Sequence, residues 1–331
     1  MATYMRTIAV EEAFRLPQLA TQVTPWSNSV LRADRAREWA RRLPEFDELR
    51  LAEMDEHGVD VAVLSLTAPG IQVQPDAAVA VDDARIANDA LAEIVAKRPD
   101  RYAGLAALPL QDPDAAASEL VRSVQTLGLC GALVNGPTLG HYLDEPRFRV
   151  VWAALEELDA PLYLHPTSVP AGEWHVLGGR PELAGPTFSW AAETGGHALR
   201  IIYGGVFDDH PGATLVLGHM GEFLPFQLAR LDASYAIVEP LRTLAKLPSQ
   251  YVRENVVIAT SGVCSHAALL GAVLEIGVDH VMFAVDYPYE STADAVRFLR
   301  SAPFSETDLA RIAHRNAERV FRLDPVAKSR P

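Results

Sequence analysis

Six polar residues stand where short apolar runs stop, and their types are those of metal and acid–base chemistry. Glu11 and Glu12 follow TIAV, Asn135 follows ALV, His165 follows PLYL, His219 follows TLVLG, and Asp286 follows VMFAV. Imidazole nitrogens and carboxylate oxygens brought together make a divalent-metal site suited to Zn²⁺ or Mn²⁺. Burying this many ionisable groups is costly unless an ion or an opposite charge compensates them. Taken singly, each has a plainer reading. A strand-final histidine is commonly a satisfied structural one, Asp286 could cap the helix that follows, and Glu11 could pair with an arginine. Whether the six converge depends on the elements that carry them.

Those elements repeat one phrase: an amphipathic helix, a Gly or Asp stop, then a short apolar run, as in EHGVDVAVLSL, TLGLCGALVNG and IGVDHVMFAVD. Gly58, Gly128 and Gly277 stand where helix C-caps require a left-handed residue. The runs lack polar alternation, the mark of parallel strands covered on both faces. Eight such runs occur, at 7–11, 61–66, 102–108, 131–135, 161–165, 214–219, 256–261 and 281–286. Between them, Ile86, Ala90, Leu91, Ile94 and Val95 form a helical stripe within 81–97. Phe148, Val151, Trp152, Leu155 and Leu158 form another within 145–158, with Asp144 as N-cap and Pro146 in the first turn. Eight βα units predict an α/β fold, a (β/α)₈ TIM barrel in a single domain over 1–331, and no GxGxxG or P-loop phrase follows any strand. In such a barrel the strand-final side chains meet at one face. Two stretches break the repeat, 15–47 and the Gly/Pro-rich 166–186, and as long loops both are expected on that face. An extra C-terminal helix, 306–320, is expected against the outside of the barrel.

Composition narrows the function classes. The 331 residues carry 29 Lys+Arg against 43 Asp+Glu, a net charge of −14, which argues against a nucleic-acid partner. Cys130 and Cys264 are too few for a disulfide framework or a thiolate zinc site, and their apolar neighbours predict buried free thiols. The opening MATYMRTIAVEEAF has no signal-peptide core, and no stretch approaches the roughly 18 apolar residues of a membrane span. A soluble, cytoplasmic protein without a membrane partner is expected. Of the other histidines, His57, His210, His280 and His314 fall at turns or helix ends, whereas His141 and His266 follow strands and are candidates for the mouth. His175 and His197 lie where either could face a ligand.

In order along the chain, IAVEEAF, LSLTAPGIQ, LVNG, YLHP, ETGGHALR, LGHMGE with FQLARLD, AVDYPYES and NAERVF resemble the metal-dependent aromatic acid decarboxylase branch of the amidohydrolase superfamily. This is the branch of α-amino-β-carboxymuconate-ε-semialdehyde decarboxylase. The motif forms are closest to the 2,3-dihydroxybenzoate, γ-resorcylate and 5-carboxyvanillate decarboxylases. The resemblance implies one divalent metal ion (Mn²⁺, Mg²⁺ or Zn²⁺), no organic cofactor, and Glu11, His165 and Asp286 as its ligands. It implies a catalytic role for Asp286, His219 and Glu222, the last two as a histidine and its carboxylate partner. Asn135 and Tyr289 match pocket positions, and Arg50 matches a substrate-binding arginine. Arg230 matches an arginine that reaches a neighbouring subunit's site, which implies a homodimer or homotetramer. One departure stands out. Many superfamily members carry a histidine two residues after the first ligand, and here Ala13 takes that place, favouring Mn²⁺ or Mg²⁺ over Zn²⁺.

The implied reaction is non-oxidative decarboxylation of an ortho-hydroxybenzoic acid, a small aromatic acid, with Asp286 giving a proton to the carbon that bears the carboxylate. The alternative is a hydrolase or hydratase acting on a lactone, amide or enol on the same barrel, with His219 as general base.

Overall fold

The computed structural model describes residues 4–19, 31–168 and 174–324, so segments 20–30 and 169–173 of the two long loops lie outside the described residues. Nine short strands follow in chain order: β1 (Ile8–Phe14), β2 (Val61–Leu66), β3 (Tyr102–Gly104), β4 (Ala106–Ala107), β5 (Ala132–Asn135), β6 (Leu162–His165), β7 (Leu215–Leu217), β8 (Val256–Ala259) and β9 (Val281–Met282). Sequential neighbours pair in parallel, β1 to β3 in one sheet and β4 to β9 in the other. β3 and β4 are two pieces of the strand expected at 102–108, interrupted at Leu105; the first bonds to β2 and the second to β5. The last strand is regular only at its start. Residues 283–287 continue it along β1, where Val10 N–H donates to Phe283 O (3.2 Å), Asp286 N–H to Glu11 O (3.0 Å) and Ala13 N–H to Tyr287 O (2.8 Å). The ring therefore closes as the expected eight-stranded barrel.

Side chains alternate across its wall. Leu133, Tyr163, Val216 and Val257 fill the interior, while their neighbours Val134, Leu164, Leu217 and Ile258 face the helices. Because both faces are apolar, no alternation is visible in the sequence. β1 breaks the pattern. Ala9 and Phe14 both lie in the outer layer although they are five positions apart, an odd offset that a period of two forbids. The pairing steps from Ala9–Ala62 to Glu12–Leu64, three residues opposite two. This bulge lets Val10 and Glu11 both turn inward, while Glu12 shares the outer side with Phe14.

Helices pack as their sequences direct, with instructive exceptions. Helix Ala77–Lys97 starts at Asp76, whose side chain accepts Ala78 and Val79 N–H, and it buries Ala80, Ala84, Ala87 and Leu91. Ile86, expected in its buried stripe, is exposed instead. The alanine ridge is the packed one because it lets the helix approach closely enough for Leu91 to lie against Gly104. Asp144 does not cap the 145–158 element, which opens as a 3₁₀ turn (Pro146–Phe148); its carboxylate instead takes Arg200 at 2.8 Å. The C-terminal helix is interrupted by a π turn at Arg311–Arg315 and is not confined to the outside. Ala317, Val320 and Phe321 join the interior cluster, and Asn316 donates to Val278 O and Val281 O, so this helix closes the end of the barrel where strands begin. Cys130 is half-buried, but Cys264 is exposed, since it lies in the turn after β8 rather than in the strand. Among the described residues no helix is long and apolar enough to cross a membrane.

Candidate active site

The strands end on one face, and the polar residues there assemble around Glu11. Its side chain is buried. One oxygen, Oε2, accepts from Tyr163 of β6 and from Ser261 just beyond β8. The other, Oε1, is buried without a hydrogen-bond partner. Toward it point His165 Nε2 and His219 Nε2, each at 3.4 Å. Both rings are held from behind: His165 Nδ1 meets Asn135 Oδ1 (2.9 Å) and His219 Nδ1 meets Glu222 Oε1 (2.7 Å). An amide oxygen and a carboxylate only accept, so each Nδ1 carries a proton and each Nε2 faces Glu11. Three ligand atoms from Glu11, His165 and His219 thus lie within 4.8 Å of one another. Asp286 Oδ2 is 3.7 Å from His219 Nε2.

An unpartnered buried carboxylate oxygen opposed by two imidazole nitrogens is the donor chemistry of a divalent cation, and supporting bonds behind each ligand are what such sites require. The residues fit a metal. Burial also sets the protons. It pushes His165 down to about 4 despite Glu11, and raises Asp286 to about 7 against the pull of His219. Burial opposes charge on His219 too, yet Glu11, Glu222 and Asp286 outweigh it and hold that imidazolium well above its usual range.

The backbone is bent to deliver these groups. His219, Met220, Glu222 and Phe223 all have φ between 49 and 59°, and Asp286 has φ 72°. Left-handed non-glycine residues cost free energy and persist where surrounding structure imposes them, most often at functional sites. Gly218 is required for a different reason: a Cβ there would lie 2.5 Å from Glu11 Oε2.

Above this cluster opens a cavity of about 490 Å³. His165, His219, Glu222, Asp286 and Glu290 are its ionisable lining; Trp39, Trp190, Met220, Phe223, Phe226 and Tyr289 are the large side chains among the rest. Tyr289 is fixed by Thr67, hydroxyl to hydroxyl at 2.5 Å, and by the edge of Trp39 at 5.0 Å. Trp39 and Pro186 come from the two long loops, which puts the described parts of both on this face as expected.

The structure thus gathers Glu11, His165, His219, Glu222, Asp286 and Tyr289. It differs from the expected ligand set in one respect: the compact donor group contains His219, with Asp286 beside it. Asn135 stands behind His165 rather than in the cavity wall. Arg50 is also outside that wall. It is buried on the outer side of β1, the side to which the bulge sends Glu12, donates to Ala13 O (2.6 Å) and lies over the Tyr287 ring (4.4 Å). Arg230 is exposed near the start of helix Leu228–Tyr235. His197 is buried and accepts Leu143 N–H at Nε2 (2.8 Å), His141 pairs with Glu145, and His266 bonds Phe298 O, so none of these three lines the cavity. His175, in the second long loop, is exposed and is likewise absent from the cavity wall. Tyr163 and Ser261 were missed from the sequence. Ser261 carried the same strand-final signal as the histidines, whereas Tyr163 is hidden inside an apolar run.

Residues 16–323 match the amidohydrolase family, and the chain belongs to it. The γ-resorcylate decarboxylase of Rhizobium sp. (strain MTP-10005) is 42% identical over 325 residues, 96% of this chain and 98% of that one. A 2,6-dihydroxybenzoate decarboxylase crystallised with 2,6-dihydroxybenzoate aligns with a TM-score of 0.90 at 40% identity, covering 96% of this chain and all of the other (100%). The dihydroxybenzoic acid decarboxylase of Polaromonas sp. JS666, with bound manganese and the inhibitor 2-nitroresorcinol, aligns with a TM-score of 0.91 at 37% identity, covering 96% and 97%.

Proposed function

We propose that this chain is a metal-dependent, non-oxidative decarboxylase of ortho-hydroxybenzoic acids, a carbon–carbon lyase. The observation that carries this is the convergence of Glu11, His165, His219 and Asp286 on one cavity with aromatic walls. Glu11, His165 and Asp286 would hold the ion (Mn²⁺, Mg²⁺ or Zn²⁺), with His219 adjoining. When bound, such an ion supplies Lewis acidity that stabilises negative charge on the substrate's oxygens.

The chain's own residues do the rest. Trp39, Trp190 and Phe223 receive the ring and keep water from it. Asp286, buried beside His219, delivers its proton to the carbon bearing the carboxylate. The C–C bond then breaks, its electron pair restores the aromatic ring, and CO₂ leaves. His219 returns a proton to the Asp286 carboxylate across the 3.7 Å gap, while Glu222 fixes its other nitrogen. Tyr289 and Asn135 act as positioning groups, Tyr289 at the ring and Asn135 through His165; Arg50 acts from behind β1. A hydrolase or hydratase is not favoured, because the similar proteins are decarboxylases. We further assign a cytoplasmic, single-domain chain acting as a dimer or tetramer, in which Arg230 of one copy approaches the site of another; its exposure supports this.

The test is CO₂ release from a panel of ortho-hydroxybenzoates by protein reconstituted with Mn²⁺, Mg²⁺ or Zn²⁺. Turnover of at least one ring is expected. Intact rings with bound metal, together with lactone or ester hydrolysis, would overturn the assignment.

A further inference from the structure

The charge of the cavity wall restricts the ring it accepts. Besides the site carboxylates Asp286 and Glu222, the wall includes Glu290, and among the described residues it includes no lysine or arginine. The segments outside the described residues that belong to the two loops, 20–30 and 169–173, contain neither of these residue types in sequence. Two cations reach Glu290 with their fields, His219, which is itself in the wall, and Arg35, which is not. Glu290 is close to the chemistry. Gly262 lies between it and His219: a Cβ built on Gly262 would be 3.5 Å from His219 Cδ2 and 3.7 Å from Glu290 Oε1. A ring lying over this bare glycine meets the histidine edge on one side and the glutamate oxygen on the other.

Resting on the decarboxylase assignment, we infer that Glu290 is a specificity-determining residue that admits rings with a single carboxylate, accepts a hydrogen bond from a further ring hydroxyl, and rejects a second carboxylate. The substrate's one carboxylate faces the metal and histidine end. A second, placed toward Glu290, meets a like charge, and the imidazolium in the wall, His219, is already engaged by Glu11, Glu222 and Asp286. Like charges about 6 Å apart in a partly buried site weaken binding by about tenfold or more. A hydroxyl at the same place finds an acceptor.

The experiment is calorimetric titration of Mn²⁺-loaded protein with 2,6-dihydroxybenzoate and with 2-hydroxyisophthalate, in the native chain and in Glu290→Gln, followed by turnover assays on both ligands. The native protein should bind the dihydroxybenzoate at least about tenfold more tightly. Glu290→Gln, which keeps shape and removes charge, should reduce that ratio below about threefold, chiefly by strengthening the dicarboxylate. Equal affinities in the native protein, or a ratio unmoved by Glu290→Gln, would overturn the inference. Binding is read without turnover, so the two assignments fail separately: selectivity without decarboxylation sinks only the reaction, and decarboxylation without selectivity sinks only the role of Glu290.

Discussion

His197 ties the fold to pH in a way that can be worked through. It lies in helix Ser189–Tyr203, whose first turn carries Trp190 of the cavity wall, and its Nε2 accepts Leu143 N–H at 2.8 Å. An accepting Nε2 is deprotonated, and burial, with Arg200 nearby, pushes this imidazole down to about 3. The unfolded chain returns it to about 6.5. Between these values the unfolded state binds the proton and the native state does not, so stability falls as pH falls. The contribution is complete above about pH 6.5. At pH 5 it is reduced by about 1.5 pH units of proton binding, or about 2 kcal/mol. Denaturant titrations of the native chain and His197→Gln at pH 7.5 and pH 5 isolate the effect, because other titrating groups cancel between the two proteins. The stability advantage of the native chain should shrink by about 2 kcal/mol on acidification. A difference that is flat with pH would refute the neutral, accepting histidine and the bond that depends on it.

Three further outcomes are expected. Asp286→Asn should abolish decarboxylation while substrate still binds, read by single-turnover CO₂ release beside calorimetry; more than a few per cent residual activity would contradict its role as proton donor. His165→Ala should lose the metal from purified protein by elemental analysis while circular dichroism stays native, because the site loses one of its converging nitrogens. Ser261→Ala removes a donor to Glu11 Oε2 and the acceptor of His219 N–H (2.9 Å), so metal affinity should drop about 10- to 100-fold in a competitive chelator titration.

Much of the barrel was legible because buried parallel strands are continuous apolar runs, and eight of them alternated with helices. The site was legible for the same reason: a histidine or aspartate that ends an apolar run is conspicuous. What the runs could not disclose was facing. Glu11 and Glu12 are chemically identical neighbours, and only the bulge decides which enters the mouth. Arg50 lies on the outer side of β1 with Glu12, outside the cavity wall. Of the 81–97 stripe only Ile86 misled, because small residues, which carry little hydrophobic signal, pack closest on that helix. The cavity's tryptophans come from loop and helix positions without periodicity, so nothing in their spacing singled them out.

The extra residue in β1 also works as a depth gauge. Without Val10, the strand would still alternate, with Ile8, Glu11 and Ala13 inward and Ala9, Glu12 and Phe14 outward. Polarity would be preserved while Glu11 sank along the barrel axis by one strand step, about 3.3 Å. That is nearly the whole 3.4 Å separating Oε1 from each imidazole nitrogen. The bulge is therefore a vertical spacer: it lifts one carboxylate to the level of the histidines on β6 and beyond β7, and leaves every residue of the strand other than Val10 on the face it would otherwise take.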